Sequence, residues 1–540
     1  MYLCYNTPAA SDYASWQKKS IPLGNGSIGA RVFGGIQCEI IQFNEKTLFS
    51  GDINRTGSYQ NFGEMFLSFN SPVPCSENTY LRDLDLETGS AMVACRKGLD
   101  GHTRHYFISA ADNVFVGKIE STGDTLLDFT LSLQSEQNGE IIYDGAYAYL
   151  SGTVNANNGA GRENGEDKNN LRYFCCVKVL ADDGKITSSE NGICVSDTFT
   201  ARIVMSCATE FFSEDDLDKC RENVEKASAM TFPQLFKRHL DDYKKINSRL
   251  RLSIGQSDVN MTADALLRSY SKGKNRQSLE ALMFEMGKYV LYSSSRRLSL
   301  PMTESGIWNS RNVPEEREIL INMKKAKNAA EIAKTLNMDE AVASFSAFSL
   351  SHGEEKRYNP FGKSTECTEE VRRKVSVFSR LTGSKSAHAG ELIEKAEKAA
   401  KCGKEKDAAR FLSDAVLRAY DNLLFSDIFD NISYSDCVRK MLIDLTEDNV
   451  ISFLPSLPQG WDSGSFGAVK LENGFEISFE WSNRRLKGGK ITALNDGVCC
   501  LNAFGRFIGI SDNDGNDVDE KFENGTISFT AEKGKAYIMY

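Results

Sequence analysis

The sequence predicts a multi-domain chain ordered β, α, β, and three observations carry that prediction. From Ile21 to about Phe212, short β-like runs such as "CEIIQF", "HYFISA", "DFTLSLQ" and "ARIVMSCAT" recur between turn signals, as in a large antiparallel sandwich. From about Ser278 to Asp444, apolar residues recur at helical spacing, and from about Val450 the short β-like runs return. At 540 residues the chain exceeds one ordinary core, and 41% apolar content is enough to fold several.

The first region opens on "PLGNGSIGARVFGG", Pro22 to Gly35, with Gly24, Gly26 and Gly29 at the spacing G-x-G-x-x-G. A dinucleotide site with that spacing needs a buried strand before the glycines and a helix after them. Here a polar, Pro-bearing stretch precedes and "ARVFGGIQCEIIQFNE" follows, rich in β-branched and aromatic residues. That reads as a Gly-rich hairpin, in which glycine permits positive φ or close backbone approach. Later in the same region, "NANNGAGRENGEDKNN", Asn155 to Asn170, reads as a long exposed loop.

At Ser213 the composition changes. An N-cap Ser followed by acidic residues and then apolar residues at helical spacing predicts one or two linker helices. The helical region follows, with "SLEALMFEMGKYVLYSSS", "SAHAGELIEKAEKAAK" and "KDAARFLSDAVLRAYDNLL". The last region is again β, with "FEISFEW", "KITALN" and "TISFTAEKGKAYIMY". The resulting division is 1–212, 213–277, 278–445 and 446–540.

Composition excludes several function classes. A net charge of −10 with no basic stripe argues against nucleic-acid or anionic-membrane partners. There is no apolar run of about 18 residues, and the first residues lack the features of a signal peptide, so a cytoplasmic protein is expected. The fourteen cysteines are scattered, without a C-x-x-C, and read as buried free thiols. Of the five histidines, only His102 and His105 are close together, and on a strand their spacing puts them on opposite faces, so neither a metal site nor a cofactor is expected.

Five ordered blocks carry a family resemblance. "SWQKKSIPLGNGSIGARVFGGIQCEIIQFNEKTLFSGD" is similar to the opening of glycoside hydrolase family 95, the α-L-fucosidase family. In order follow "YQNFGEMFLSF", "YLRDLDLETGSAMV", "LYSSSRRLSLPMTESGIWNS" and "FLPSLPQGWDSGSFGAVKLENGFEISFEW". The resemblance implies an N-terminal β-supersandwich, a helical linker, an (α/α)6 toroid holding the active site and a C-terminal β domain. It implies inverting hydrolysis of terminal α-L-fucosides or related sugars. A Glu would protonate the leaving oxygen while an Asp, with Asn side chains, activates water across a gap of about 6.5–9.5 Å.

Residue by residue, the match thins at the chemistry. Trp308, Asn309 and His352 match sugar-facing positions. Asn322 matches the second Asn of the family's "N-I-N-x-Q-M-N-Y-W", but the first is Leu320, and an aromatic, amide-rich face has become Lys324, Lys325, Ala326, Lys327 and Asn328. Those lysines read as a solvated helix face. The short stretch between Glu331 and Ser351 replaces several helices and the segment bearing the general acid. A twelve-helix toroid needs roughly 200 residues, more than the helical region supplies, so a shortened toroid is expected. In "FSDIFDNISYSD" Phe429 aligns with the family's base; Asp430, one residue on, and Asp427, upstream, are carboxylates that a local shift could bring there, and Asp430 is the candidate replacement. Glu391 and Glu394 stand where the family has a Trp-bearing apolar wall, and nothing singles out Glu354, Glu355 or Glu366 as a substitute acid. Two readings follow: a glycosidase with a rearranged site acting on a fucose-containing or related glycan, or a catalytically inactive carbohydrate-binding or structural relative.

Overall fold

The computed structural model describes residues 1–49, 59–70, 75–137, 139–154, 171–255, 261–296, 300, 302–310, 323–336, 338, 388–502 and 509–540. The loop expected at 155–170 lies outside them. The chain is a multi-domain, β-rich protein with nine helices among the described residues: α1 (Tyr13–Lys18), α2 (Asp215–Ser228), α3 (Phe232–Asn247), α4 (Ala263–Ser271), α5 (Arg276–Ser294), α6 (Met323–Thr335), α7 (Ala389–Lys401), α8 (Glu405–Val416) and α9 (Ile428–Leu442).

Two antiparallel sheets form the N-terminal part. One has nine strands, with Tyr2–Tyr5 at one edge and Glu140–Asp144 at the other; the other has seven, ending on the hairpin strand Ile21–Gly24. Alternation sets the inward face, as in Leu127–Gln134, where Leu127, Phe129, Leu131 and Leu133 are buried between more exposed Asp128, Thr130, Ser132 and Gln134. The sheets pack face to face. Phe69 of one stacks on His102 of the other at 4.9 Å, and Arg104 reaches Glu39 across the core at 2.9 Å.

The nine-stranded sheet is buried on its second face as well. Phe107, Val114, Val116, Cys176 and Val204 pack there against Cys220 and Val224 of α2 and Leu235 of α3. This explains why "YFCCVKVLA" and "RIVMSCAT" read as apolar runs with little alternation. His105 lies on this outer face against Phe232 and Phe236, opposite to His102, as the strand period requires. α2 begins at Asp215, and Ser213 Oγ accepts the Asp215 N–H at 3.3 Å. α3 starts on a capping box between Thr231 and Gln234.

Two features differ from the sequence reading. The helical linker carries a strand, Arg251–Ile254, which forms the edge of the six-stranded C-terminal sheet by pairing with Gly464–Lys470. Cys75 and Cys95 form a disulfide, which corrects the expectation of free thiols throughout. Their separation of 20 residues in sequence gives no local signal, and it is the pairing of Tyr80 with Cys95 that brings the preceding turn alongside.

α5 and α9 are the buried pair of the helical region. Both are buried nearly all round, polar residues such as Glu280, Lys288, Asn431 and Asp436 included, and they cross where a Cβ on Gly287 would lie 2.1 Å from Ser435 Oγ and 2.3 Å from Asn431 O. Only glycine allows that approach.

Candidate functional site: a packed junction and a charged helical centre

The glycine hairpin is built as expected, from Ile21–Gly24 and Ile28–Val32 with Gly24 opposite Gly29. A strand, Cys38–Glu45, comes next, so the helix a phosphate cradle requires is not built. The glycines instead face the end of α5 and the loop 302–310. A Cβ on Gly24 would stand 2.6 Å from Ser293 O, one on Gly29 2.7 Å from Ile307 Cγ1, and one on Gly26, at φ +83°, 2.2 Å from the Arg296 nitrogen. Hydrogen bonds fasten the contact: Gly26 N–H donates to Ser293 O at 2.7 Å and Tyr289 Oη to Pro22 O at 2.7 Å.

Trp308 and Asn309 belong to this junction. Trp308 is fully buried, donates from Nε1 to Leu23 O at 2.9 Å, and stacks on the Arg31 guanidinium, which lies 4.9 Å from both the Trp16 and Trp308 rings. Asn309 donates its backbone N–H to Asn44 Oδ1 at 3.0 Å and its side-chain amide to Tyr59 O at 2.6 Å, while its carbonyl accepts from Gln42 at 2.8 Å. The resemblance implied sugar contacts for both residues. In the structure their polar groups are spent on the hairpin and on neighbouring β-domain residues.

The same loop also feeds a second, charged cluster. Glu304 O accepts the Ile428 N–H at 3.0 Å, tying the loop to the start of α9. Lys325 on α6 places Nζ 2.7 Å from Glu304 Oε1 and against Asp427 Oδ2. Asp427 caps α9 by accepting the Phe429 N–H at 3.1 Å. Asp430, in the first turn, accepts the Gly390 N–H of α7 at 3.0 Å. A side chain at 390 would not fit, since its Cβ would lie 2.5 Å from Asp430 Oδ1.

Burial sets the electrostatics. It pushes Asp430 up to about 6, helped by the neighbouring Asp427 and opposed by the Gly390 N–H and Lys325. Burial also raises Asp427, against the pull of Lys325. Lys325 is held above its ordinary value because Asp427 and Glu304 outweigh the burial that would lower it. Asp430, raised toward neutral pH, is not seated against Lys325. Three acids gather here, but among the described residues no group of His, Cys, Asp and Glu is arranged to hold a metal ion.

Of the expected site residues, Asp430 lies in this cluster, and Phe429, aligned with the family's base, is buried beside it. Asn322 and His352 lie outside the described residues. Lys325 corrects the reading of a solvated lysine face: it sits at the border between the exposed Lys327 and the buried Ala326, Ala329 and Ala333, within reach of two carboxylates. Glu391 and Glu394 are exposed on α7, whose inner wall is Leu392, Ile393 and Ala396, so they do not stand in an apolar wall. Glu304 was missed, although it directly precedes the "SGIWN" block.

Family models match three parts of the chain. The N-terminal domain of glycosyl hydrolase family 65 matches 3–58 and 52–214, the family 95 catalytic domain matches 231–358, and the family 95 C-terminal domain matches 446–539. The chain is 26% identical over 355 residues to Alpha-L-fucosidase 2 of Arabidopsis thaliana, covering 54% of this chain and 42% of the relative. It is 23% identical over 359 residues to a Probable alpha-fucosidase A of Aspergillus niger, covering 56% and 44%. The aligned part is thus less than half the length of these relatives. Among solved structures it resembles a putative kojibiose phosphorylase from the human microbiome, with a TM-score of 0.51 at 10% identity over 100% of this chain and 98% of that one, a likeness of fold alone.

Proposed function

The chain belongs to glycoside hydrolase family 95, and on that premise we propose that it is a carbohydrate-directed protein of the α-L-fucosidase type whose helical centre, neutralised by Lys325, binds terminal α-L-fucosides or related sugars without hydrolysing them. In this reading the paired sheets are the family's β-supersandwich (1–212), the linker is 213–277, the helices are a shortened toroid (278–445) and a β domain closes the chain (446–540). Asn322 and His352 remain the sugar-facing candidates, and Trp308 and Asn309 act as struts that hold the loop bearing Glu304.

One observation carries the reading: an ammonium sits between Glu304 and Asp427, in the same cluster as Asp430, the candidate base of the resemblance. An inverting pair must be separated widely enough to admit a water, and Lys325 occupies the acceptor sites that would orient it. Losing acid or base assistance costs about 10²–10⁴-fold each. The test is release of nitrophenol from 4-nitrophenyl α-L-fucoside beside a thermal shift with L-fucose. The expected result is a saturable shift with no release above buffer, and release at ordinary turnover would overturn it.

A second reading rests on Asp430, which is not seated against Lys325 and exchanges its proton near pH 6. If it serves as a base, the protein releases nitrophenol and Asp430→Asn lowers the rate by about 10²–10⁴-fold with the fold unchanged.

A further inference from the structure

A cleft of about 480 Å³ opens between α2 and the strand ends that carry Glu45, Asn113 and Thr209, and it shares no residue with the Glu304–Asp430 cluster. Glu45 is almost wholly buried there and accepts the Thr47 N–H at 2.8 Å and the Thr47 hydroxyl, which also meets the Thr209 hydroxyl. Asp112 is fixed by Arg238 at 2.8 Å and by the Ser109 hydroxyl at 2.7 Å, and Asn113 accepts from Asn25 Nδ2 at 3.1 Å. α2 contributes Asn223. On the rim stands Phe212, 59% exposed, its ring held edge-on by Phe211 at 4.8 Å.

The charge pattern selects the ligand class. The lysines on the α2 wall, Lys219 and Lys226, are paired with Asp216 and Glu222 on the same helix, so no surplus cation is offered to a phosphate or carboxylate. A divalent cation fits poorly, because burial raises Glu45 to about 7 and Asp112 already serves Arg238. What remains is a concave site with oriented carboxyl and amide groups, a hydroxyl and one exposed aromatic face. Sugar hydroxyls both donate and accept, matching such a mixed lining, while the apolar face of a pyranose can lie on a ring. The volume falls in the range of small-molecule sites, about 300–1,000 Å³.

We propose that this cleft is a second carbohydrate site, which takes a neutral mono- or disaccharide with Phe212 as its stacking platform and Asn113 and Asn223 as its hydroxyl partners. It is independent of whatever binds in the helical centre. The experiment is isothermal titration of the whole chain with L-fucose, D-galactose and maltose, repeated on Phe212→Ala and Asn223→Ala. Phe212 is exposed, so its loss leaves the fold intact, which a matching unfolding curve verifies. The expected result is saturable binding of at least one sugar, weakened about tenfold by Phe212→Ala and weakened also by Asn223→Ala. Absence of binding by all three sugars overturns the proposal. So does binding that ignores Phe212→Ala and Asn223→Ala, or a cleft that titrates with calcium instead of sugar.

Discussion

The loop 302–310 serves two regions that obey opposite rules. Trp308 and Asn309 lie at the hairpin junction, where glycines leave no room and their donors are hydrogen-bonded. Five residues from Asn309 along the chain, Glu304 enters a centre where two half-buried aspartates are raised above their ordinary range and one lysine serves two acids. The junction is over-determined by packing, and the centre is a balance of charges.

The largest expected effect tests the junction. Gly26→Ala adds a Cβ 2.2 Å from the Arg296 nitrogen at a φ of +83°, combining a left-handed backbone with overlap against main chain that cannot step aside. A loss of about 4 kcal/mol or more is expected in urea unfolding. A loss under about 1 kcal/mol would mean the hairpin and α5 can part, and the contrast with the centre would fail.

Trp308→Phe is the next largest, at about 2–3 kcal/mol, because it removes the Nε1 hydrogen bond to the buried Leu23 carbonyl and one face of the Arg31 stack. A strut and a sugar platform differ in the readout. As a strut, Trp308 changes the unfolding midpoint and leaves the sugar-induced thermal shift, read as an apparent dissociation constant, nearly where it was. A variant that unfolds like the parent but no longer responds to fucose would make Trp308 a ligand contact after all.

Much of the junction was legible and little of the centre was. Alternation in "DFTLSLQ", the β-rich stretch after the glycines and the composition change at Ser213 each reflect short-range rules of period and turn chemistry. The resemblance implied sugar contacts for Trp308 and Asn309, but a sequence match does not say which way a side chain faces. Only the fold brings "PLGNGSIG" against "ESGIWN". Lys325 was misread for a similar reason: at the border of a helix face, period alone cannot separate a solvated lysine from one that reaches two distant carboxylates. The strand Arg251–Ile254 and the disulfide Cys75–Cys95 depend on partners far along the chain and have no local signature.

The smallest effect sharpens the contrast from the other side, since relieving the centre should stabilise the protein where perturbing the junction weakens it. Asp430 holds its proton up to about pH 6 when folded and to about 3.9 when unfolded. A carboxyl raised in this way contributes stability that is fully present below the unfolded value and lost as pH rises through the folded one. Asp430→Asn cannot ionise and still offers an oxygen to the Gly390 N–H, so it escapes that loss. It should match the parent near pH 4, gain on it between pH 4 and 6, and lead by about 1–2 kcal/mol at pH 7, less than the full linkage value because an amide is an imperfect copy of the carboxyl. Urea unfolding at four pH values reads the gap directly. A gap that stays flat with pH would show that the Asp430 carboxyl titrates alike in the folded and unfolded chain, and a parent that wins at pH 7 would show that the carboxylate is stabilised by its neighbours, removing the imbalance that separates the centre from the junction.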